Sequence, residues 1–228
     1  MTNALEIALR ISNELGLPVF PCREKPNATG KGIKSPYTRY GYKDASTDEQ
    51  QIRNWWHSNP NALIGVPTGK ASGILVVDID QSDAKDGEAS FAELGIGDPE
   101  TVQTITQSGG RHIIFKYPDG YDIRNSAGNV LGKSIDVRAN GGYVIWAGSR
   151  TENGSYDYRN GYEPHKIGFK PLPDTLLTML ISPSDKSNLT PLLGENIPEG
   201  QRNHTLFKEG VTLANAGVSD TEVVAHIE

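Results

Sequence analysis

The sequence contains a single cysteine, Cys22, among its 228 residues. One thiol excludes an internal disulfide and a zinc site built from several cysteines. The chain also lacks any apolar run near the ~20 residues that a membrane-spanning helix requires. Its first residues lack the basic segment followed by an apolar segment that defines a signal peptide. We therefore expect a cytoplasmic protein with no membrane partner and no zinc.

An excess of positive charge is also missing, because the formal net charge is −6. Domains that bind nucleic-acid phosphates are usually basic, so this value alone argues mildly against such a partner. The distribution of charge weakens that argument, since six basic residues and one acid lie between positions 19 and 43. This segment is either a solvated loop or a phosphate-binding patch. Its basic residues are Arg23, Lys25, Lys31, Lys34, Arg39 and Lys43.

The residue patterns predict helices mixed with short strands. Apolar spacing predicts a helix over residues 3–15 that Gly16 ends. Thr47 and Gln50 predict the capping box of a second helix. Two shorter helices are expected over residues 87–95 and 173–181. Strands are predicted in "LPVFPC", "ALIGVPTG" and "GILVVDID", and hairpins in "TVQTITQSGGRHIIFKYP" and "SIDVRANGGYVIWAG".

The composition changes after Ile181. Residues 183–200 are polar and rich in proline, as linkers are. Residues 201–228 show two helical patterns, the second with a capping box. We predict one domain over 1–182, a linker over 183–200 and the start of a truncated C-terminal helical domain over 201–228. The second helical pattern has no end signal, so we expect the protein to continue beyond residue 228.

Two acids, Asp78 and Asp80, end the apolar run that begins at Ile74. Side chains two positions apart on a strand project from the same face, about 6–7 Å apart at Cα. Two like charges this close repel each other, and a divalent cation removes that repulsion. The alternative is a pair of solvated acids at a strand end.

Three further features favour the metal-binding interpretation. "SIDVR" places another acid, Asp136, on a short strand. "SGGRHIIF" places His112 after a glycine turn whose backbone amides can approach a phosphate. Arg111 and Arg138 add positive charge beside these two motifs. Three acids with a histidine and arginines suit phosphoryl or nucleotidyl transfer by two Mg²⁺ or Mn²⁺ ions about 3.5–4 Å apart.

Four blocks of the sequence together resemble one known family. They are "KSPYTRYGYKDASTDEQQIRNWW", "IGVPTGKASGILVVDID", "TITQSGGRHIIFKYP" and "IDVRANGGYVIWAGS". Their order and spacing resemble the bifunctional primase–polymerase domain of the archaeo-eukaryotic primase superfamily, over roughly residues 15–180. That domain occurs in replication proteins of plasmids, phages and integrated elements. The resemblance implies an α+β fold, with an N-terminal α/β module packed on an RRM-like module and the active site in the cleft between them.

The resemblance also implies roles for individual residues. The family's metal-binding acids map to Asp78, Asp80 and Asp136. Its Ser-x-His-type motif maps to "SGGRH", so that His112 would contact the phosphates of the incoming nucleotide. The remaining expected triphosphate or template contacts are Ser108, Gly110, Arg111, Arg138 and Lys34. The expected nucleic-acid contacts in the basic segment are Lys25, Lys31, Arg39 and Lys43.

The activity implied by the resemblance is template-directed 5′→3′ nucleotidyl transfer. Its partners would be a single-stranded DNA template with its primer and NTP or dNTP, and its cofactors two Mg²⁺ or Mn²⁺ ions. Residues 201–228 are similar to the start of the helical domain that often leads into a helicase in such proteins. Some relatives carry a cysteine-bearing zinc element, which Cys22 alone cannot form.

Three other functions fit parts of the pattern. In a HAD-type phosphohydrolase a strand also ends in DxD, the first Asp being the nucleophile. That motif usually lies near the N-terminus and continues with Gly-Thr, whereas Gln81 and Ser82 follow here. A DxD glycosyltransferase is a further enzyme alternative. A non-catalytic initiator that binds single-stranded DNA would stack bases on aromatic residues of an RRM-like sheet. The candidates for that stacking are Phe115, Tyr117, Tyr143 and Trp146.

Overall fold

The computed structural model describes residues 3–26, 32–127 and 130–181. Lys31, the predicted linker at 183–200 and the predicted helical domain at 201–228 lie outside the described residues. The chain divides into two units, residues 1–173 and 174–228. In the second unit the described part contains a helix over Asp174–Leu180, where the sequence predicts one. No helix in the described ranges has both the length and the apolar character needed to cross a bilayer.

Helices and short strands alternate irregularly along the first unit, which has an α+β fold as predicted. The helices are α1 (Ala4–Leu15), α2 (Glu49–Ser58), α3 (Gly87–Ala92) and α4 (Pro164–Ile167), with a 3₁₀ turn at Gly41–Asp44. The first strands are β1 (Phe20–Cys22), β2 (Leu63–Pro67), β3 (Ile74–Ile79), β4 (Gln81–Ser82), β5 (Lys85–Asp86), β6 (Val102–Ile105) and β7 (Arg111–Lys116). The later strands are β8 (Ile135–Arg138), β9 (Tyr143–Ile145), β10 (Arg150–Thr151), β11 (Gly154–Ser155), β12 (Asp157–Tyr158) and β13 (Lys170–Pro171).

The ends of α1 confirm the prediction. The Asn3 side chain accepts a hydrogen bond from the Glu6 backbone N–H at 2.9 Å, and the Glu6 carboxylate accepts one from Asn3. This reciprocal pair satisfies two of the free N–H groups at the helix start. Gly16 ends the helix in the left-handed conformation, with φ of 66°.

The start of α2 differs from the prediction by one residue. Asp48, and not Thr47, is the N-cap, and its carboxylate accepts a hydrogen bond from the Gln51 N–H at 2.7 Å. The predicted capping box of Thr47 with Gln50 is therefore wrong. A carboxylate caps as well as a hydroxyl does and is also attracted by the positive end of the helix dipole, which favours Asp48.

Two sheets carry most of the strands. The larger sheet has the order β12-β6-β7-β3-β8, with β13 added to β7 in parallel, and its other pairings are antiparallel. The smaller sheet has the order β1-β2-β9 and is antiparallel. The predicted hairpin of "TVQTI" with "RHIIFK" is confirmed, since β6 pairs with β7 and Val102 lies opposite Ile114.

The predicted hairpin around Asn140–Gly142 is wrong. Strand β8 pairs with β3 in the larger sheet, whereas β9 pairs with β2 in the smaller one. Residues 140–142 do lie between two strands, but they connect a strand of the larger sheet to a strand of the smaller one. The Asn140 side chain accepts a hydrogen bond from the Lys70 N–H, 2.8 Å away, and so joins this crossing to the turn after β2. A Cβ at Gly142 would lie 2.1 Å from Asn125 Oδ1, so a larger residue there would have to displace the Asn125 side chain.

The packing of the core explains why β3 carries its one polar residue, Asp78, near its end. One cluster of buried side chains joins α1 and α2 to both sheets, and it includes Ile74 and Val76 of β3. The alternate residues of β3, among them Val77, are buried on the other face. Strand β3 is therefore apolar on both faces until Asp78, where the face shared by the two sheets becomes polar.

Candidate active site

Three of the predicted site residues lie side by side across three strands. Asp78 of β3 pairs with His112 of β7 on one side and with Asp136 of β8 on the other. Residues opposite each other in neighbouring antiparallel strands project from the same face. Asp80 is two positions beyond Asp78 and continues this face past the end of the strand. Three chain segments separated by more than 20 residues thus contribute side chains to one polar row. We call Asp78, Asp80 and Asp136, with His112 beside them, the acidic row.

A cavity of about 320 Å³ lies against Asp78, Asp80 and His112, whereas Asp136 is not among its lining residues. Both sheets contribute to its wall, with β3, β7 and β8 from the larger sheet and β9 from the smaller one. The cavity is the place where the apolar layer between the sheets gives way to polar groups. Its lining residues are Lys34, Asp78, Asp80, Thr106, Ser108, His112, Asn125, Arg138, Gly141, Gly142, Tyr143, Val144, Ile145 and Tyr156.

Arg138 bridges two of the carboxylates. Its guanidinium donates to Asp78 Oδ2 at 3.2 Å and to Asp136 Oδ2 at 2.7 Å. Asp78 also lies 3.4 Å from His112 Nε2. The carboxylates of Asp78 and Asp136 are 14% and 18% exposed, so this cation lies between two largely desolvated acids.

Two lysines complete the charge pattern around the row. The Lys85 ammonium donates to Asp80 Oδ2 at 2.5 Å. Lys34 reaches the cavity from the basic segment, with its Nζ 5.4 Å from the centre of the Tyr156 ring. The Lys34 backbone has a φ of 76°, unusual for a residue other than glycine, and Tyr143 Oη donates to its carbonyl at 3.2 Å. Basic charge therefore faces the acids from several elements.

The electrostatics keep Asp78 ionised. Burial alone would raise the pKa of Asp78, but His112 and Arg138 outweigh burial through charge and hydrogen bonds and lower it to about 2. Burial lowers the pKa of Lys34, while Asp78 and Asp80 partly oppose that shift. The hydrogen bond and the charge of Asp80 raise the pKa of Lys85.

Two tyrosines that the sequence did not single out as catalytic candidates shape the cavity. Tyr156 is buried, and its ring centre lies 6.1 Å from that of His112. Burial, together with the charges of Asp78 and Asp80, raises the pKa of the Tyr156 phenol well above its usual range. Tyr143 stacks on Tyr42 of the 3₁₀ turn with ring centres 6.3 Å apart.

The donor chemistry of the row fits hard divalent cations. Mg²⁺ and Mn²⁺ prefer oxygen ligands, and Asp78, Asp80 and Asp136 present carboxylates on one face. Each of the three carboxylates already forms an ion pair with a cationic side chain. The space beside each carboxylate is therefore favourable for a positive charge. As these side chains are arranged, no group of three His, Cys, Asp or Glu within the described ranges is ready to hold a metal ion. Binding one would require the cationic side chains to move aside.

The glycine turn before His112 has two parts with different surroundings. Ser108 lines the cavity, and its hydroxyl lies 3.1 Å from that of Thr106. Gly110 does not line the cavity but packs against the end of β3, where a Cβ would lie 2.4 Å from the Ile79 carbonyl oxygen. Gly110 therefore has a packing role in seating the turn that precedes His112.

Arg111 lies on the face opposite His112, because successive strand residues alternate sides. Its guanidinium pairs with Glu88 at 2.7 Å and with Asp98 at 2.8 Å, and it donates to Gln103 at 3.0 Å. The side chain is 10% exposed. The expectation that Arg111 contacts a triphosphate does not fit this position. Arg111 instead joins α3 to the loop before β6 and to β6.

Replacing Arg111 by Met should lower the free energy of unfolding by about 2–3 kcal/mol, because Glu88 and Asp98 lose their ion pairs with a largely buried guanidinium. The partial exposure of Glu88 and Asp98 keeps the cost below that of a fully buried pair. Urea denaturation measures it. The matched control is Arg53→Met, which breaks an exposed pair with Glu49 and should cost less than about 0.5 kcal/mol. Equal costs for the two variants would contradict the assignment of Arg111 as an anchor of the fold.

Asp98, in the same network, predicts a pH-dependent stability. Burial would raise the pKa of Asp98, but hydrogen bonds from Tyr162, Gln103 and Arg159 and the charge of Arg159 hold it well below its usual range. A lowered pKa in the folded state stabilises the fold above pH ~4, and this contribution is lost as the pH falls further. Asp98→Asn should therefore lower the thermal unfolding midpoint most near neutral pH and progressively less below pH 4. A difference from wild type that does not change with pH would contradict this.

The residues predicted to bind nucleic acid are spread over more than one surface. Lys25 borders a separate cavity near the start of α1. Arg39 lies over the ring of the exposed Tyr40, 5.1 Å from its centre. Lys43 belongs to the 3₁₀ turn whose Tyr42 stacks on Tyr143. Of these three, Lys43 therefore lies on the element that contacts a residue of the cavity wall.

The aromatic residues proposed for base stacking are mostly unable to do it. Phe115 and Trp146 are 1% exposed, and Tyr117 is buried as well. Their rings pack in the interior of the fold. Tyr143 differs, because it lines the cavity. The described sheet therefore gives little support to an initiator that binds DNA through these four rings.

The chain matches a known protein family. The family model described as "Bifunctional DNA primase/polymerase, N-terminal" matches residues 8–175, about three quarters of the chain. The matched segment contains every residue of the cavity wall and Asp136. No curated protein sequence matches the chain.

Proposed function

Because the chain belongs to the family of bifunctional DNA primase/polymerase N-terminal domains, a nucleotidyltransferase family of DNA replication, we propose that it copies single-stranded DNA. The proposed reaction is template-directed 5′→3′ nucleotidyl transfer at the cavity beside Asp78. The setting we propose is the replication of a plasmid, phage or integrated element.

One observation supports this proposal above the others. The row of His112, Asp78 and Asp136 spans three strands beside a cavity that basic side chains also line. A triphosphate needs positive charge around it, and the acids need positive charge in front of them. Acidic and basic side chains around one cavity suit a substrate that carries phosphate groups and binds together with metal cations.

The proposed metal ligands are Asp78, Asp80 and Asp136, for two Mg²⁺ or Mn²⁺ ions. Such ions, when bound, neutralise the phosphate oxygens and favour the ionised form of the attacking hydroxyl. The rigid strand β3, buried on both faces, fixes the position of Asp78 with little freedom. Asp136 is held opposite it by the strand pairing. The protein thus contributes pre-set geometry, with no covalent nucleophile of its own.

His112, Arg138 and Lys34 are the proposed triphosphate contacts. All three line the cavity, and each has N–H groups that can donate hydrogen bonds to phosphate oxygens. In the proposed step the primer 3′-hydroxyl gives up its proton to water, and its oxygen forms a bond to the α-phosphorus. The bond from that phosphorus to its bridging oxygen breaks, and pyrophosphate leaves with the electron pair. The cationic side chains of Arg138 and Lys34 stabilise the charge that develops on pyrophosphate.

Two of the alternatives, the phosphohydrolase and the non-catalytic initiator, can be separated from this proposal in one set of assays. We would incubate the protein with Mn²⁺ and a primed DNA template plus labelled dNTP or NTP, and in parallel with p-nitrophenyl phosphate. The proposal expects nucleotide incorporation and no phosphate release from p-nitrophenyl phosphate. Phosphate release alone would favour a phosphohydrolase. Binding of single-stranded DNA with no incorporation under any condition would favour an initiator.

A further inference from the structure

A short hairpin follows Asp80 directly and returns a lysine to it. Strands β4 and β5 pair Gln81 with Asp86 and Ser82 with Lys85. The Gly87 N–H donates to the Asp80 carbonyl at 3.0 Å and closes the base of the hairpin. From this hairpin the Lys85 ammonium reaches the Asp80 carboxylate at 2.5 Å.

Lys85 interacts electrostatically with more acids than its direct partner Asp80. The charges of Asp136 and Asp78 attract the same ammonium group, in addition to Asp80. The ammonium therefore lies where the fields of all three proposed metal ligands act together. A bound cation would be attracted to the same region for the same reason.

The acidic row is neutralised internally. The three carboxylates face three basic groups, since Arg138 contacts Asp78 and Asp136, Lys85 contacts Asp80, and Lys34 is attracted by Asp78 and Asp80. A divalent cation added to this balanced set would create an excess of positive charge. Its oxygen ligands would also have to release the hydrogen bonds that they now accept.

We propose that Lys85 is an internal counter-ion of Asp80 that a divalent cation displaces on binding, so that this lysine lowers metal affinity. The inference rests on the proposed function, because it takes Asp80 as a metal ligand. Displacement is easy on structural grounds. The Lys85 side chain is 52% exposed, and its hairpin lies outside the buried part of β3. The ammonium can thus turn into water while the carboxylates stay where they are.

The ion pair also has a role before any cation binds. In the metal-free protein, Lys85 keeps Asp80 from being an unpaired acid at the edge of the row.

The test is Mn²⁺ binding to the full chain without nucleotide or DNA, measured by the electron paramagnetic resonance signal of free Mn²⁺. Lys85→Met should bind Mn²⁺ about two- to fivefold more tightly than wild type, the size expected of one exposed ion pair. Lys85→Arg keeps the charge and should bind like wild type. The matched control is Lys116→Met, an exposed lysine at the far end of β7, which should also bind like wild type.

A second readout follows the displacement itself. The rate at which a reagent acetylates Lys85, read by mass spectrometry, should rise when Mn²⁺ is added, while the rate at Lys116 stays constant. Mn²⁺ binding with equal affinity in Lys85→Met and wild type, or an unchanged acetylation rate, would overturn the role of Lys85 alone. Absence of Mn²⁺ binding in every variant would overturn the proposed metal site itself, and this role with it.

Discussion

Replacing Asp78 by Asn should reduce nucleotide incorporation on a primed template by at least ~10³-fold. Asparagine has nearly the same volume as aspartate but no charge. The substitution removes the central carboxylate of the row, which contacts both His112 and Arg138. The proposed metal site and the alignment of the triphosphate contacts are therefore lost together. Primer extension by the purified variant, with Mg²⁺ or Mn²⁺, measures the effect.

The matched control for this prediction is Asp119→Asn, because Asp119 is an exposed acid outside the acidic row. It should retain wild-type incorporation. Circular dichroism should give both variants the spectrum of the wild type, so that loss of activity cannot come from unfolding. An Asp78→Asn variant that folds and retains more than about a tenth of the activity would rule out Asp78 as a central ligand.

Replacing His112 by Ala should lower kcat/KM for the nucleotide by about 10- to 100-fold, mainly through a higher KM. His112 lines the cavity one strand away from the acids, so it is proposed to bind phosphate and not metal. A hydrogen bond to a charged group contributes about 1.5–3 kcal/mol, which corresponds to this loss. Steady-state kinetics over a range of nucleotide concentrations separate KM from kcat.

The control here is His57→Ala, which removes an exposed histidine of α2 and should leave both constants unchanged. Mn²⁺ affinity should be measured in parallel, because His112 also contacts Asp78. A His112→Ala variant with normal KM, or one whose only defect is weak Mn²⁺ binding, would contradict the proposed phosphate contact.

Local sequence patterns predicted those parts of the site that depend on a single strand. The apolar run ending in Asp78 and Asp80 identified a buried strand that presents acids, and the glycine turn before His112 identified a hairpin. Strand alternation also places Arg138 on the same face as Asp136. The same rule, applied to Arg111, would have placed it opposite His112, where the structure has it.

The parts that were missed depend on contacts between distant segments. The turn at Asn140–Gly142 has the composition of a hairpin turn, yet its two strands find better partners in different sheets. Tyr156 reaches the cavity from a loop that no local pattern connects to β3. Lys85 is close to Asp80 only because a two-residue loop folds its strand back. Residue propensities and hydrophobic periodicity describe each segment by itself. Contacts between distant segments depend instead on how the segments pack together.

The most direct test of the central claim is whether the template dictates which nucleotide the protein adds. Wild-type protein is given a primed template whose next base is A, C, G or T, with Mn²⁺ and one labelled nucleotide at a time, as dNTP and as NTP. We expect incorporation of the complementary nucleotide in each case, and none by the Asp78→Ala/Asp80→Ala double variant. Incorporation that ignores the template base, no incorporation by the wild type, or full activity in the double variant would contradict template-directed synthesis at this site.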